Sequence, residues 1–299
     1  METTVNFQEI PLNAILAFSR YLILAGIAFI LVRYFKSIRK YAIYRVKTFD
    51  GQISFELRTA LLICLFDAII LALANYFNLF PKGNPTILNH ILTFTGMFIW
   101  FEGSLYFVHR LLHTKRFYWI HRHHHKSMVT TPFTAISSSL MDRIIGIVVP
   151  FVPVVLLDKF AGISATQLGL ISYFMLLFII NIYSHINVEV IPTWIVKNKF
   201  LGKVLITPSF HSLHHARHQG NYGITTPLMD ILFNTHFLDY EKVHEKSRAG
   251  EGLSKIGERL GPRRKKVSKK KKINQTPAPV LATVKVNTSV SNPIPKSSR

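Results

Sequence analysis

The chain is nearly without cysteine: Cys64 is the only one in 299 residues. No disulfide can form within it, no Cys₄ iron–sulfur motif is possible, and thiolate metal ligation is excluded as the main theme. Acidic residues are also scarce, 15 against 36 lysines and arginines, for a formal net charge of +21. Met1 to Leu12 has no basic residue, and a cleavable signal peptide needs a basic start. The first apolar run is therefore expected to remain as an anchor. No internal repeat is visible, and no flavin, haem or dinucleotide motif is present.

What the chain has in excess is apolar residues and histidine. Hydrophobic residues make up 49%, with a mean hydropathy of +0.26. Apolar runs cover about Leu12–Val32, interrupted by Arg20, and Thr59–Phe77, containing Asp67. Another covers Ile87–Val108, containing His90 and Glu102. A pair follows, Ile144–Leu157 and Ile163–Tyr183, separated by Asp158 and Lys159. A spanning helix needs about 20 apolar residues. Ile144–Leu157 falls short and holds Pro150 and Pro153, so it reads as a half-span or kinked helix in a hairpin. The expected fold is all-α: a polytopic membrane protein of about four transmembrane helices plus a half-span hairpin, with a cytosolic helical cap. The division is 1–84 (transmembrane hairpin and basic loop), 85–245 (catalytic domain) and 246–299 (polybasic, largely disordered tail).

Charge orients these spans. Arg33, Lys36, Arg39, Lys40, Arg45 and Lys47 follow the first run, which places that loop in the cytosol. Two crossings later, Arg110, Lys115, Arg116, Arg122 and Lys126 agree. Arg20 and Asp67 fall at similar depth in adjacent antiparallel spans. Since a charge in hydrocarbon usually finds a partner, they are expected to pair. The basic run Arg263–Lys266 and Lys269–Lys272 suits a solvated tail that adheres to anionic lipid. Nucleic acid is not an expected partner of so apolar a body.

Histidine totals 14 and is clustered. His109 and His113 are four apart, one helical face. His121-Arg122-His123-His124-His125 admits two registers, H-x-x-H-H or H-x-H-H. His211-Ser212-Leu213-His214-His215 is again H-x-x-H-H, so the second cluster is read as His121, His124 and His125. His185 returns alone after the last run and joins the candidate ligands. His218 is left open, as is His123; His90, His236 and His244 are set aside. Neutral imidazole suits iron, copper, zinc and nickel. Eight or more imidazoles exceed the about four to six positions of one metal, so two metals share them. Glu102, Tyr106, His109 and His113 form one stripe, which makes Glu102 the candidate catalytic carboxylate, expected to accept an N–H from a liganding histidine.

Glu102–His113 (EGSLYFVHRLLH), His121–His125 (HRHHH) and His211–His215 (HSLHH) resemble the fatty acid hydroxylase / sterol desaturase superfamily. Asn221-Tyr222-Gly223 and Pro227-Leu228-Met229-Asp230 are similar to its segment after the last box. The resemblance covers about 85–240, and Met229-Asp230-Ile231 and Phe233-Asn234-Thr235 depart from its usual pattern there. It implies two iron ions, O₂ as co-substrate, and hydroxylation or desaturation of a fatty acyl, sterol or related membrane lipid. It also implies an external electron donor, whether cytochrome b5-like, ferredoxin or reductase, and a bacterial inner-membrane or endoplasmic-reticulum location. The competing readings are a membrane-embedded zinc hydrolase, since zinc has no redox chemistry, and a metal-binding transporter.

Overall fold

A computed structural model describes residues 9–261. Five long helices dominate: α1 (Glu9–Tyr34), α2 (Gln52–Tyr76), α3 (Ile87–Leu112), α4 (Leu140–Ala161) and α5 (Gln167–Ser184). Local chemistry sets their starts. The hydroxyls of Thr86, Ser139 and Thr166 each accept the backbone N–H three residues on, which satisfies a donor that the helix itself cannot. All five are long and apolar enough to cross a membrane. Their outward faces carry large apolar side chains such as Ile23, Leu62, Ile99 and Ile171, all more than half exposed, a liability in water and a match for hydrocarbon. Among the described residues there is no strand, only isolated bridges Ala42–Val188 and Tyr44–Leu253.

The expected half-span differs. α4 has 22 residues and runs without interruption through Pro150, Pro153, Asp158 and Lys159. Ser139 starts it before the apolar run begins, and Gly162, at φ 65°, stops it. The charged pair is therefore helical, and a left-handed glycine is what turns the chain.

The connections sort to two ends. At one end, Gly83 N–H donates to the Ala165 carbonyl at 3.0 Å, and His90 Nδ1 lies 2.8 Å from the Thr166 hydroxyl. At the other, Ile43 N–H donates to the Asn187 carbonyl and Leu253 N–H donates to the Ile43 carbonyl. Here α6 (Pro208–Arg217) and α7 (Tyr240–Arg248) pack over a core of Ile43, Tyr44, Phe210, Leu213, Val243 and Leu253. Packing thus continues past 245, since Leu253 is fully buried. The basic run Arg263–Lys272 and the rest of the tail lie outside the described residues.

The ion pair inside the bundle is also a correction. Asp67 accepts from Arg143 Nε (2.7 Å) and Nη2 (2.6 Å) on α4, not from Arg20. A bidentate fork satisfies both carboxylate oxygens at once. Arg20 instead lies over the Phe178 ring, 5.1 Å from its centroid.

Candidate metal centre

Three i,i+4 histidine pairs converge at the capped end. His109, His113, His121, His125 and His214 each offer a nitrogen, all within 4.8 Å of one another. His124, His185, His211 and His215 form a second such group. The grouping follows helical geometry. Residues four apart share a face, so 109/113 and 121/125 enter the first group and 211/215 the second. The middle histidine of each H-x-x-H-H run turns to the other group. The groups abut: the rings of His125 and His215 are 4.5 Å apart.

His123 stays outside. It packs on Phe55 with ring centroids 4.7 Å apart, and its Nε2 meets the Thr59 hydroxyl at 3.2 Å. His218, at φ 62°, borders the first group 4.8 Å from the His125 ring and contacts the Tyr118 hydroxyl at 3.2 Å. His244 sits beside Glu189, 3.1 Å away, and His90 lies at the opposite end.

The ring orientations are set by acceptors around the rim. Nδ1–H of His109 donates to the Tyr222 carbonyl at 2.7 Å, and that of His214 to the Gly220 carbonyl at 2.8 Å. His124 donates to Ser137 (3.0 Å), His185 to Asn181 (2.6 Å) and His215 to Ser127 (3.1 Å), all carbonyls. His121 donates to the Asp142 carboxylate at 2.8 Å. Carbonyls and carboxylates only accept, so each of these rings carries a proton on Nδ1 and turns Nε2 inward. Burial holds His113, His125, His185, His211, His214 and His215 far below the usual imidazole range, and His124 at about 4, with neighbouring histidines adding to the effect. These rings are neutral at pH 7.

Those inward atoms then face each other. Nε2 atoms meet at 3.0 Å for His109–His121 and 3.1 Å for His109–His214, His185–His215 and His185–His211. His124–His185 stands at 3.4 Å. His113 and His125 are buried with no hydrogen-bond partner on either nitrogen. Converging Nε2 atoms and orphaned nitrogens are costly in a dry site, and a cation removes the cost. The donor set therefore fits two metal ions. Nitrogens about 2.1 Å from one ion are about 3.0 Å apart at right angles and about 3.4 Å apart in a tetrahedron.

Glu102 corrects the sequence reading. Its carboxylate accepts from the Thr225 hydroxyl and, at 2.6 Å, from Thr226, and bonds no histidine. It acts on the loop that supplies Tyr222 and Gly220. The Asp230 carboxylate accepts the Tyr222 and Gly223 N–H groups at 2.9 and 2.6 Å. A Cβ at Gly223 would stand 2.1 Å from the Thr226 carbonyl, so glycine alone fits there. Asp230 thus explains the segment after the third box.

Asp142 was missed. In sequence it is one acidic residue at the edge of an apolar run. Its signal was the Ser139-x-x-Asp142 spacing of a helix start, which says nothing of His121 across the fold.

A cavity of about 380 Å³ opens from the histidines into the bundle, lined by His109, His121, His124 and His211 at one side and by Arg20, Asp67 and Phe178 at another. A second, of about 480 Å³, continues it toward Phe80 and Gln167.

Residues 94–235, which hold all nine histidines of the two groups, match the fatty acid hydroxylase family. A very-long-chain aldehyde decarbonylase of Oryza sativa subsp. indica, GL1-4, is 30% identical over 166 residues, 55% of this chain and 26% of that protein. The very-long-chain aldehyde decarbonylase CER1 of Arabidopsis thaliana is 32% identical over 152 residues, 49% of this chain and 23% of that one. Protein CER1-like 2 of Arabidopsis thaliana is 27% identical over 219 residues, 67% and 31% of the two chains. The chain spans about a quarter to a third of the length of these relatives. No solved structure matches it. Through residues 94–235, this multi-pass chain belongs to the fatty acid hydroxylase / sterol desaturase superfamily.

Proposed function

We propose that the chain is an O₂-dependent di-iron enzyme that hydroxylates or desaturates a long-chain membrane lipid at a C–H bond. One observation carries it: two abutting groups of histidines turn their Nε2 atoms onto each other while their Nδ1–H groups are held outward. His109, His113, His121, His125 and His214 would hold one iron; His124, His185, His211 and His215 would hold the other. Two irons there would supply activation of O₂. Asp142 and the Tyr222, Gly220, Ser137, Asn181 and Ser127 carbonyls keep each ring in one tautomer and orientation. The cavity gives an aliphatic chain a dry path to the histidines, with Phe101, Leu105, Phe174 and Leu177 on its walls.

The same reading places the histidine end in the cytosol, where the basic loops are, and takes electrons from a separate acidic or reductase-linked donor. The basic run 263–272 would meet anionic headgroups. The names of the plant relatives add long-chain aldehydes to the candidate substrates. Nine imidazoles in two abutting groups exceed the set that one zinc ion of a hydrolase would use.

The test is metal analysis and O₂ uptake on the purified full chain, with a reductant and hexadecanoate or hexadecanal. About two irons per chain and an oxidised lipid formed in step with O₂ consumption are expected. A zinc-loaded protein that consumes no O₂ and hydrolyses an ester would overturn the reading.

A further inference from the structure

Arg20 stands near the middle of α1, between Ser19 and Tyr21. It lines both chambers of the cavity, the one bounded by histidines and the one that continues it. Phe151, Phe174 and Phe178 also line both. The rings of Phe151 and Phe174 stack 5.0 Å apart, and the Arg20 guanidinium lies on Phe178. The neck between the chambers is thus an aromatic collar carrying one cation.

That cation has no anionic partner among the described residues. Asp67 is taken by both donors of the Arg143 fork, and Asp142 is taken by His121. A guanidinium inside hydrocarbon seeks a counter-charge, and its planar fork suits a carboxylate. The two chambers differ in character. The chamber beyond the collar is lined by Leu71, Phe80, Leu170, Ile171 and Met175 and carries no charge except Arg20. The histidine chamber carries Asp67, Asp142 and Arg143. An aliphatic tail therefore belongs beyond the collar, with its head at the neck.

We propose that Arg20 is a head-group anchor: it binds the carboxylate of a long-chain fatty acid whose tail lies in the apolar chamber, so that the carbons next to the head face the histidines. The inference rests on the reading of this cavity as the lipid site. It narrows the substrate class to acids with a free carboxylate, and the attacked position to the head-proximal carbons.

Equilibrium binding of radiolabelled hexadecanoate to the full chain in lipid nanodiscs tests it, with methyl hexadecanoate as the uncharged comparison. The wild type should bind the acid about tenfold or more tighter than the ester, the loss expected when a charged hydrogen-bonding partner is removed. Arg20→Met should erase that preference and leave ester binding unchanged; Arg20→Lys should keep part of it. Metal content reports whether each variant is folded. Should Arg20→Met not fold, the wild-type preference for acid over ester still decides. Equal binding of acid and ester by the wild type, no binding of either, or an acid preference intact in a folded Arg20→Met would each overturn the anchor. A product oxidised only far from the carboxylate would overturn the orientation. If the acid binds through Arg20 but no O₂ is consumed, the anchor stands and the oxygenase reading fails.

Discussion

The five-histidine and four-histidine groups are built from the same three boxes and held in different ways. In the four-histidine group, His124, His185 and His215 hang from backbone carbonyls of three separate segments, and His211 Nδ1 has no partner. In the five-histidine group His109 and His214 hang from carbonyls, His121 hangs from a side-chain carboxylate, and two rings, His113 and His125, hang from nothing. A metal with about six positions would keep one open in the first group and two in the second. The larger group is thus richer in ligands and poorer in scaffold support. It has more to lose when its metal leaves, and the smaller group has more room for an exogenous molecule.

The strongest way to break this comparison is to remove one ligand from each group. His124→Ala leaves three nitrogens in the smaller group, and His214→Ala leaves four in the larger. Turnover should vanish in both, because the reaction needs both metals, while the protein still accumulates in the membrane on its apolar faces. Iron analysis should separate them, with His124→Ala keeping about one iron per chain and His214→Ala more than that. Equal iron in both variants would erase the asymmetry.

Next in size is metal removal. Chelation strands the His113 and His125 nitrogens and sets the facing Nε2 atoms against one another. The apparent melting temperature should fall on chelation and recover with added iron, as linkage requires of a ligand bound only by the folded state. An unchanged melting temperature would show that the histidines are not closed around metal.

Asp142→Asn sharpens the contrast between carboxylate and carbonyl support. It keeps the shape but loses the charge that fixes the His121 tautomer. Metal affinity or activity should drop about 10- to 100-fold, with the loss confined to the five-histidine site. Glu102→Gln should cost less, a few-fold, because Glu102 acts through Thr225 and Thr226 on the loop and not on a ring. If Glu102→Gln proves the more damaging, Glu102 and not Asp142 supports the larger group. The smallest effect belongs to His123→Ala. Its ring packs on Phe55 and meets Thr59 and belongs to neither group, so activity and iron content should stay at wild-type levels.

The boxes were legible because their information is local. His109/His113, His121/His125 and His211/His215 are spaced for one helical face, and a face needs only the period of the helix. The N-caps of α3, α4 and α5 were legible in the same sense, since a hydroxyl reaches its own first turn. The register of box two came from comparing it with box three, and the geometry groups the same three residues. By contrast, the helix through Asp158 and Lys159 was obscured because charge was read as a break, whereas Gly162 makes the turn.

The sequence by itself determined that apolar helices cross or line a membrane, that histidines in helical register gather at one end, and that thiolates are not the main ligands. It did so because hydrophobic period and ligand spacing are properties of short stretches. Only the tertiary structure decided that Asp67 pairs with Arg143 and leaves Arg20 bare. It alone assigned the support of His121 to Asp142, and it turned Glu102 toward two threonines. Each of these joins residues 76, 21 or 123 positions apart in sequence. Such pairing follows from packing angles and depths in the bundle, which no local pattern encodes.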